Sequence, residues 1–260
     1  MNVLVFDIET VPDVKNGRRL LDLRDLNDKQ VGEVMYEQRR QESGREFLRH
    51  DLHQVVAISA VFRSGSRFKI GSFGDEGSPE KKLIQRFFDG IEKSLPLLVS
   101  WNGGGFDLPV LHYRSLLHGV NALRYWDTGD FDKNFRWNNY LNRFHYRHID
   151  LMDVLSGYQM RATAPLNEIA TLLGFPGKIG MDGSQVWGKY LDGEIGAIRN
   201  YCEIDALNTY LVYLRFELIR GRLTQAEYER EEQQVKDELA SCNEAHLQEF
   251  LTVWTGMKPL

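Results

Sequence analysis

Cysteine is nearly absent, with Cys202 and Cys242 alone in 260 residues. That excludes a disulfide framework and a thiolate-based metal site. Proline is sparse at 7 residues, and neither an internal repeat nor a low-complexity tract interrupts the chain. Long hydrophobic runs are missing too. The longest, Val55 to Phe62, falls far short of the roughly 20 apolar residues that a membrane helix needs. The first residues, MNVLVFDIET, have no basic cluster and reach acidic residues at once, unlike a secretory leader. Positive charge is not in excess: 32 Lys and Arg face 37 Asp and Glu, a net charge of -5. Non-specific attraction of polyanions by bulk charge is therefore excluded. A nucleic-acid enzyme is not, because carboxylates gathered around divalent cations are neutralised by them. What is present, 42% apolar and 27% charged residues, is the balance of a globular chain. A soluble chain in a reducing, cytoplasmic setting is expected, with no membrane association.

Hydrophobic patterning gives the order of elements. Asn2 to Ile8 reads as a buried strand that Pro12 ends. Asp13 to Asp51 is rich in charge, with weak helical spacing through Val31, Val34 and Met35. It reads as an insertion of one or two short helices. Gln54 to Phe62 and Arg67 to Phe73 are strands joined by a hairpin at Ser64 to Ser66. A helix starts at Ser78-Pro79-Glu80 and repeats apolar residues from Leu83 to Ile91. Leu97 to Ser100 is a strand, Asn102 to Gly105 a turn, and Leu108 to His118 a helix. Leu123 to Asn142 is irregular, and His148 to Leu155 is a short strand entering a helix. Helices follow over Leu166 to Leu173, Ile195 to Leu218, Thr224 to Leu239 and Glu244 to Trp254. Three antiparallel strands, then a crossover to a strand parallel to the first, make an α/β mixed sheet of about five strands flanked by helices. That is a ribonuclease H-like arrangement with a helical insertion after its first strand. Residues 1–220 form this domain, with the insertion at 13–51, and 221–260 a helical extension of it.

Three short motifs carry the chemistry. Asp7 and Glu9 are two apart on a strand, so their side chains share a face. Like charges side by side are costly unless a cation joins them, and hard divalent ions favour such oxygen donors. Asp107 ends the segment Asn102-Gly103-Gly104-Gly105-Phe106-Asp107, a tight turn into a helix. The segment lacks the Lys-Ser/Thr of a phosphate loop. Tyr201 and Asp205 are four apart in a helix and lie on one side of it. Each motif alone has an ordinary reading: a solvated strand end, a helix cap, a polar stripe.

Together, in this order, they resemble the three motifs of the DEDD exonucleases: DxE, N-x-x-x-F-D and Y-x-x-x-D. The resemblance is to the proofreading exonuclease domain of family B DNA polymerases and to stand-alone bacterial PolB-like 3′–5′ exonucleases. Asp7, Glu9, Asp107 and Asp205 match the four acids, and Tyr201 matches the tyrosine of the DEDDy branch. Asn200 stands where the other branch carries its histidine. The resemblance implies two ions of Mg²⁺ or Mn²⁺ held by the four acids, with Tyr201 positioning the attacking water. It implies a 3′ end of single-stranded nucleic acid as partner, DNA favoured, and nucleoside 5′-monophosphate as product. Thr10, Asn102 and Phe106 are expected to contact that end. The insertion and the segment after Arg220 lie outside the common core. A non-catalytic nucleic-acid-binding module and a small-nucleotide phosphohydrolase stay open as alternatives.

Several residues beyond the motifs invite a role. Phe135 to His148 interleaves arginines with aromatic rings, which suits either stacking on unpaired bases or packing on the core. Asp150 and Asp153 are expected to start a helix rather than bind metal, and His145 and His148 are not expected as ligands. Cys202 is expected to turn away from the Tyr201–Asp205 side and serve packing. The insertion leaves beside Glu9, carries many arginines and has Gly17, Gly32 and Gly44 as possible hinges. It is read as a mobile flap over the substrate end, against the plainer reading of a helical decoration packed on the sheet.

Overall fold

The computed structural model describes residues 2–257. The chain opens with β1 (Val3–Pro12), whose register pairs it antiparallel with β2 (His53–Ser64). Between them lie α1 (Val14–Leu21) and α2 (Asp28–Ser43). β2 turns into β3 (Arg67–Ser72) through Gly65, whose φ of +56° is one that glycine adopts without strain. Then α3 (Glu80–Ser94) crosses to β4 (Leu97–Ser100), parallel to β1, and α4 (Asp107–His118) follows. After the short α5 (Leu123–Trp126), β5 (His148–Asp150) adds parallel to β4. The remainder is helical: α6 (Leu151–Leu155), α7 (Leu166–Leu172), α8 (Val186–Leu191), α9 (Ile195–Ile219), α10 (Gln225–Ser241) and α11 (Ala245–Gly256). The sheet order is β3-β2-β1-β4-β5, the expected mixed five-stranded, ribonuclease H-like sheet. No helix among the described residues is long and apolar enough to cross a membrane.

Strand alternation divides the core in two. Leu4, Phe6 and Ile8 face α3 and α4 with Ile84, Phe87 and Leu111. Val3 and Val5 face the other way, toward Leu207, Leu211 and Leu214 of α9. Asp7 and Glu9 continue the parity of Val3 and Val5, so they too look toward α9. That helix is apolar nearly all round because both its sides are covered. The sheet covers one side; Tyr228, Val235, Phe250 and Trp254 of α10 and α11 join the same core.

Three expectations need correction. β1 does not stop before Pro12; it runs through it, paired to His53. β4 pairs only with Val3 to Val5, so the rest of β1 has one unpaired side, where proline's missing N–H costs no ladder bond. Second, α8 appears where no helix was read, a six-residue piece too short for a periodic signal. Third, the insertion glycines are not hinges at two of three positions. A Cβ on Gly17 would meet Met35 Sδ at 2.4 Å, and one on Gly32 would meet the Trp187 ring at 2.9 Å. They are contact points through which α1, α2 and α8 pack, around Val14, Val31, Met35 and Leu48. Gly44 caps α2 with φ +69°.

The root of the insertion is fixed by buried charge. Arg114 of α4 pairs with Asp13 and with Glu80, and all three side chains are at most 7% exposed. Glu80 also accepts the amide of Val55 at 2.7 Å. One guanidinium therefore joins α3, α4 and the chain at both ends of the insertion. Arg114→Ala would leave two carboxylates buried without their cation. The expected loss is about 3–5 kcal/mol in urea unfolding, with Arg114→Lys intermediate; an unchanged midpoint would contradict this role.

Candidate active site

The site lies in the crevice where β1 outruns β4, at the carboxyl ends of these parallel strands. Asp7 pairs across β2 with Ser59 and Glu9 with Ala57, after which the register slips between Glu9 and Thr10. Such a bulge re-aims the residues that follow. Thr10 turns its hydroxyl to Nδ1 of buried His53 at 2.8 Å.

At the end of β4 the chain must turn sharply. Asn102 adopts φ +62°, and its carbonyl accepts the amides of Gly105 and Phe106 at 3.0 and 2.9 Å. Asp150 accepts the amides of Asn102 and Gly104, each at 2.9 Å, and that of Met152 at 3.1 Å. It organises the turn and caps α6, the helix-start role read from sequence. A Cβ on Gly103 would strike Ser100 Oγ at 2.3 Å, so the turn needs glycine there. His148 bonds Ser100 at 2.8 Å, and burial pushes its pKa down to about 4. His145 accepts the amide of Asn139 at 3.0 Å. Neither histidine joins the acidic group.

The turn delivers Asp107 as the first residue of α4, buried, with Oδ1 accepting the amide of Ile8 at 3.2 Å. α9 brings Asp205 from the opposite side. Oxygens of Asp7, Glu9 and Asp205 come within 4.8 Å of one another. Asp107 sits beside Asp7 but outside that trio, one oxygen committed to β1. Burial and then the neighbouring Asp107, Glu9 and Asp205 hold the Asp7 carboxyl well above its usual range. Burial followed by Asp205 and Asp107 does the same for Glu9. Burial raises Asp107 to about 7 and Asp205 to about 6. Tyr201 is 5% exposed and lies beside Asp205; burial and the nearby carboxylates raise its pKa, so its hydroxyl stays protonated.

Sequence reading missed three contributors. Lys178 lies with Nζ 5.9 Å from the Tyr201 ring, and its charge lowers the pKa values of Glu9 and Asp205. It follows Gly177 (φ +66°), whose amide and carbonyl bond the buried side chain of Asn208, one turn beyond Asp205 on α9. The sequence shows only a Pro-Gly-Lys loop, with nothing to say where it lands. The third is Cys202, which packs in the core as expected but whose thiol also reaches the carbonyl of Asp7 at 3.3 Å and Oδ2 at 3.5 Å. Cys202 also meets Ser59, which bonds Ser72 at 2.8 Å, and Ser72 donates to Glu203 at 2.6 Å. Glu203 ends the row on His246 of α11 at 2.9 Å. Asp7, Ser59 and Ser72 are neighbours across three strands, so the row is set by sheet register.

The arginine-aromatic segment divides. Phe135 and Tyr140 are core, with the Arg147 guanidinium 4.1 Å above Phe135. Trp137, Phe144 and Tyr146 are exposed. Tyr146 lies under Arg220, at the far end of α9 from Tyr201, roughly 28 Å away at 1.5 Å per residue.

Residues 45–254 match the family described as a predicted 3′–5′ exonuclease related to the exonuclease domain of PolB. The chain belongs to this family. The match holds Asp107, Tyr201, Asp205, α10 and most of α11; Asp7 and Glu9 precede it. The family B DNA polymerase of the hyperthermophilic archaeon Pyrobaculum calidifontis has a similar fold, with TM-score 0.50 and 17% identity. The similarity covers 96% of this chain and 27% of that polymerase, so the chain spans about a quarter of its length. No curated protein matches the chain.

The raised carboxyl pKa values have a consequence for stability. The folded protein holds protons on Asp107 and Asp205 that the unfolded chain gives up near pH 4. Their contribution is therefore present below about pH 4 and is lost as pH rises through about 6 and 7. In EDTA, the wild-type melting temperature should fall from pH 5 to pH 8, and Asp107→Asn should reduce that fall. Equal slopes in both proteins would refute the assignment.

Proposed function

We propose that this chain is a divalent-metal-dependent 3′–5′ exonuclease acting on single-stranded nucleic acid, DNA favoured, and releasing nucleoside 5′-monophosphates. One observation carries the reading: in a member of this exonuclease family, the half-buried carboxylates of Asp7, Glu9 and Asp205 converge within 4.8 Å, with Tyr201 beside Asp205. The donor set is all oxygen and strained by its own charge, which fits Mg²⁺ or Mn²⁺. Asp7, Glu9, Asp107 and Asp205 would hold two such ions, which supply a water of lowered pKa and stabilise the leaving 3′ oxygen.

The chain's own residues do the rest. Tyr201 keeps its proton and would orient the attacking water through its hydroxyl. Asp107 is held beside Asp7 by the Ile8 amide on one oxygen and would complete the ligand set. Lys178 offers the cation facing Glu9 and Asp205, where a phosphodiester must enter. Thr10, just past the bulge of β1, and Asn102 and Phe106, in the turn before α4, border the site as substrate contacts.

With Mg²⁺, a 5′-labelled single strand should shorten from its 3′ end into a ladder. Asp7→Ala, Glu9→Ala, Asp107→Ala and Asp205→Ala should each lower kcat by at least about a hundredfold, with double variants little worse than singles. Tyr201→Phe should be milder, about tenfold. A near-wild-type rate in Asp205→Ala would overturn the reading. Ca²⁺ should support binding with little cleavage, because its longer, looser coordination spoils in-line geometry; equal turnover with Ca²⁺ and Mg²⁺ would contradict this.

A further inference from the structure

The sheet carries a second concavity, away from the acids. Between the edge strand β3 and the last turns of α3 lies a cavity of about 470 Å³, floored by Leu4, Ala60, Phe62 and Phe73. Sheet register builds it. Leu4 pairs with Phe62 and Phe62 with Lys69, so the three share one face; Ala60 pairs with Gly71 in the next row. Glycine leaves the end of that row bare. A Cβ on Gly71 would meet nothing within 4 Å, and one on Gly90 of α3 would meet only the Phe73 ring, at 3.7 Å. The floor is firm. The Phe73 amide donates to the Ile58 carbonyl at 2.8 Å, and its ring meets Phe87 of the core edge-on at 5.8 Å.

Every charged side chain that lines this cavity is a cation. Arg67 and Lys69 come from β3, two apart and on one face, and Lys93 comes from the last turn of α3. None of the three has an ion-pair partner among the described residues. The neighbouring acids of α3 are taken elsewhere, Glu92 by Arg124 at 3.8 Å and Asp89 by Gln85 at 2.9 Å. In a chain of net charge -5, three cations gathered without a carboxylate are a local excess. Lysine on an edge strand also discourages the addition of further strands. That accounts for Lys69, but not for Lys93 or for the apolar floor.

We propose that this cavity docks an acidic, extended peptide segment of a partner protein. One apolar side chain of that segment enters against Phe62 and Phe73, and the carboxylates around it meet Arg67, Lys69 and Lys93. A cavity of this size with an apolar floor and a few convergent polar groups is the form of a binding site. A nucleic-acid strand also brings negative charge, but it gains affinity by stacking on open ring faces, and both rings here are half-buried. Place favours a protein as well. Leu4 and Phe62 belong to the α3 face of the sheet, whereas Asp7 and Glu9 look toward α9. A partner seated here leaves the acidic crevice open, so the site serves recruitment and stands independently of the exonuclease reading.

The test measures fluorescence anisotropy in EDTA with labelled, end-blocked decapeptides of Asp and Glu that carry a central Phe, Leu or Ile. The controls have Ser at the centre, or Lys in place of every acid. The tightest acidic peptide should bind the wild type about tenfold better than its Ser control, the lower end of what one buried apolar side chain gives. Its affinity should fall at high salt. Gly90→Leu fills the cavity, leaves every charge in place and removes a glycine from a helix interior, which favours α3. It should erase the preference for the apolar side chain. Arg67→Glu, Lys69→Glu and Lys93→Glu combined should lose the acidic peptides and gain their Lys counterparts. Both variants should melt cooperatively and keep the wild-type nuclease rate. Acidic peptides that bind the wild type no better than the Ser or Lys controls, or that bind Gly90→Leu with the wild-type preference, overturn the inference. So does an oligothymidylate that displaces the peptides from the wild type and itself loses binding in the charge-reversed protein, since the groove would then belong to nucleic acid.

Discussion

The packing of α9 across β1 is the contact on which the site depends. It brings Asp205 to within 4.8 Å of Asp7 and Glu9 in a half-buried crevice. Apolar residues supply the force. Leu207, Leu211 and Leu214 meet Val3 and Val5 of β1 and the inner faces of α10 and α11. Each such side chain contributes about 1.5–3 kcal/mol. That sum offsets the repulsion among the carboxylates, and the repulsion in turn makes the site receptive to divalent cations. The protein keeps its acids close by making them a small cost inside a large favourable contact.

The elements that were legible in the sequence are those whose cause is local. Val3 to Phe6 announces a strand buried on both faces because its apolar run is unbroken, and Leu83, Ile84, Phe87, Phe88 and Ile91 announce a helix because one face is apolar at the right period. Asp7 and Glu9 could be put on one face because a strand alternates. The strand order followed from the order of elements and the rarity of any other crossover. What could not be read depends on distance in the chain. Lys178 reaches the carboxylates only because Asn208, a turn beyond Asp205, grips the loop before it. Helical spacing turned Cys202 from Tyr201, but could not show that the sheet waiting there was at Asp7. The bulge at Glu9 and the strand's continuation through Pro12 reflect which neighbours β1 has along its length.

The insertion shows the same limit. Its charge suggested a mobile cover, yet its few apolar residues are enough to pack two helices onto Trp187, and Arg114 fixes where the chain leaves and where it returns. Charge on the surface of a segment says little about its underside. Gly17 and Gly32 looked like freedom in the sequence and are close contacts in the fold.

The polar row from Asp7 to His246 carries the register of the sheet out to the last of the described helices. It crosses β1, β2 and β3 and closes on the last helix, so one carboxylate of the acidic group is linked to the segment farthest from it in sequence. The hydrogens in the row are few. The Cys202 thiol gives its one to Asp7, the Ser72 hydroxyl gives its one to Glu203, and Ser59 spans the gap. Neither serine can serve two anions at once, so the row has a direction set from both ends. A chain ending after α10 would leave Glu203 without the imidazole on its second oxygen. That oxygen would then face solvent, and water would take the place of the imidazole. The last of the described helices thus closes, from outside the sheet, a row whose other foot is Asp7.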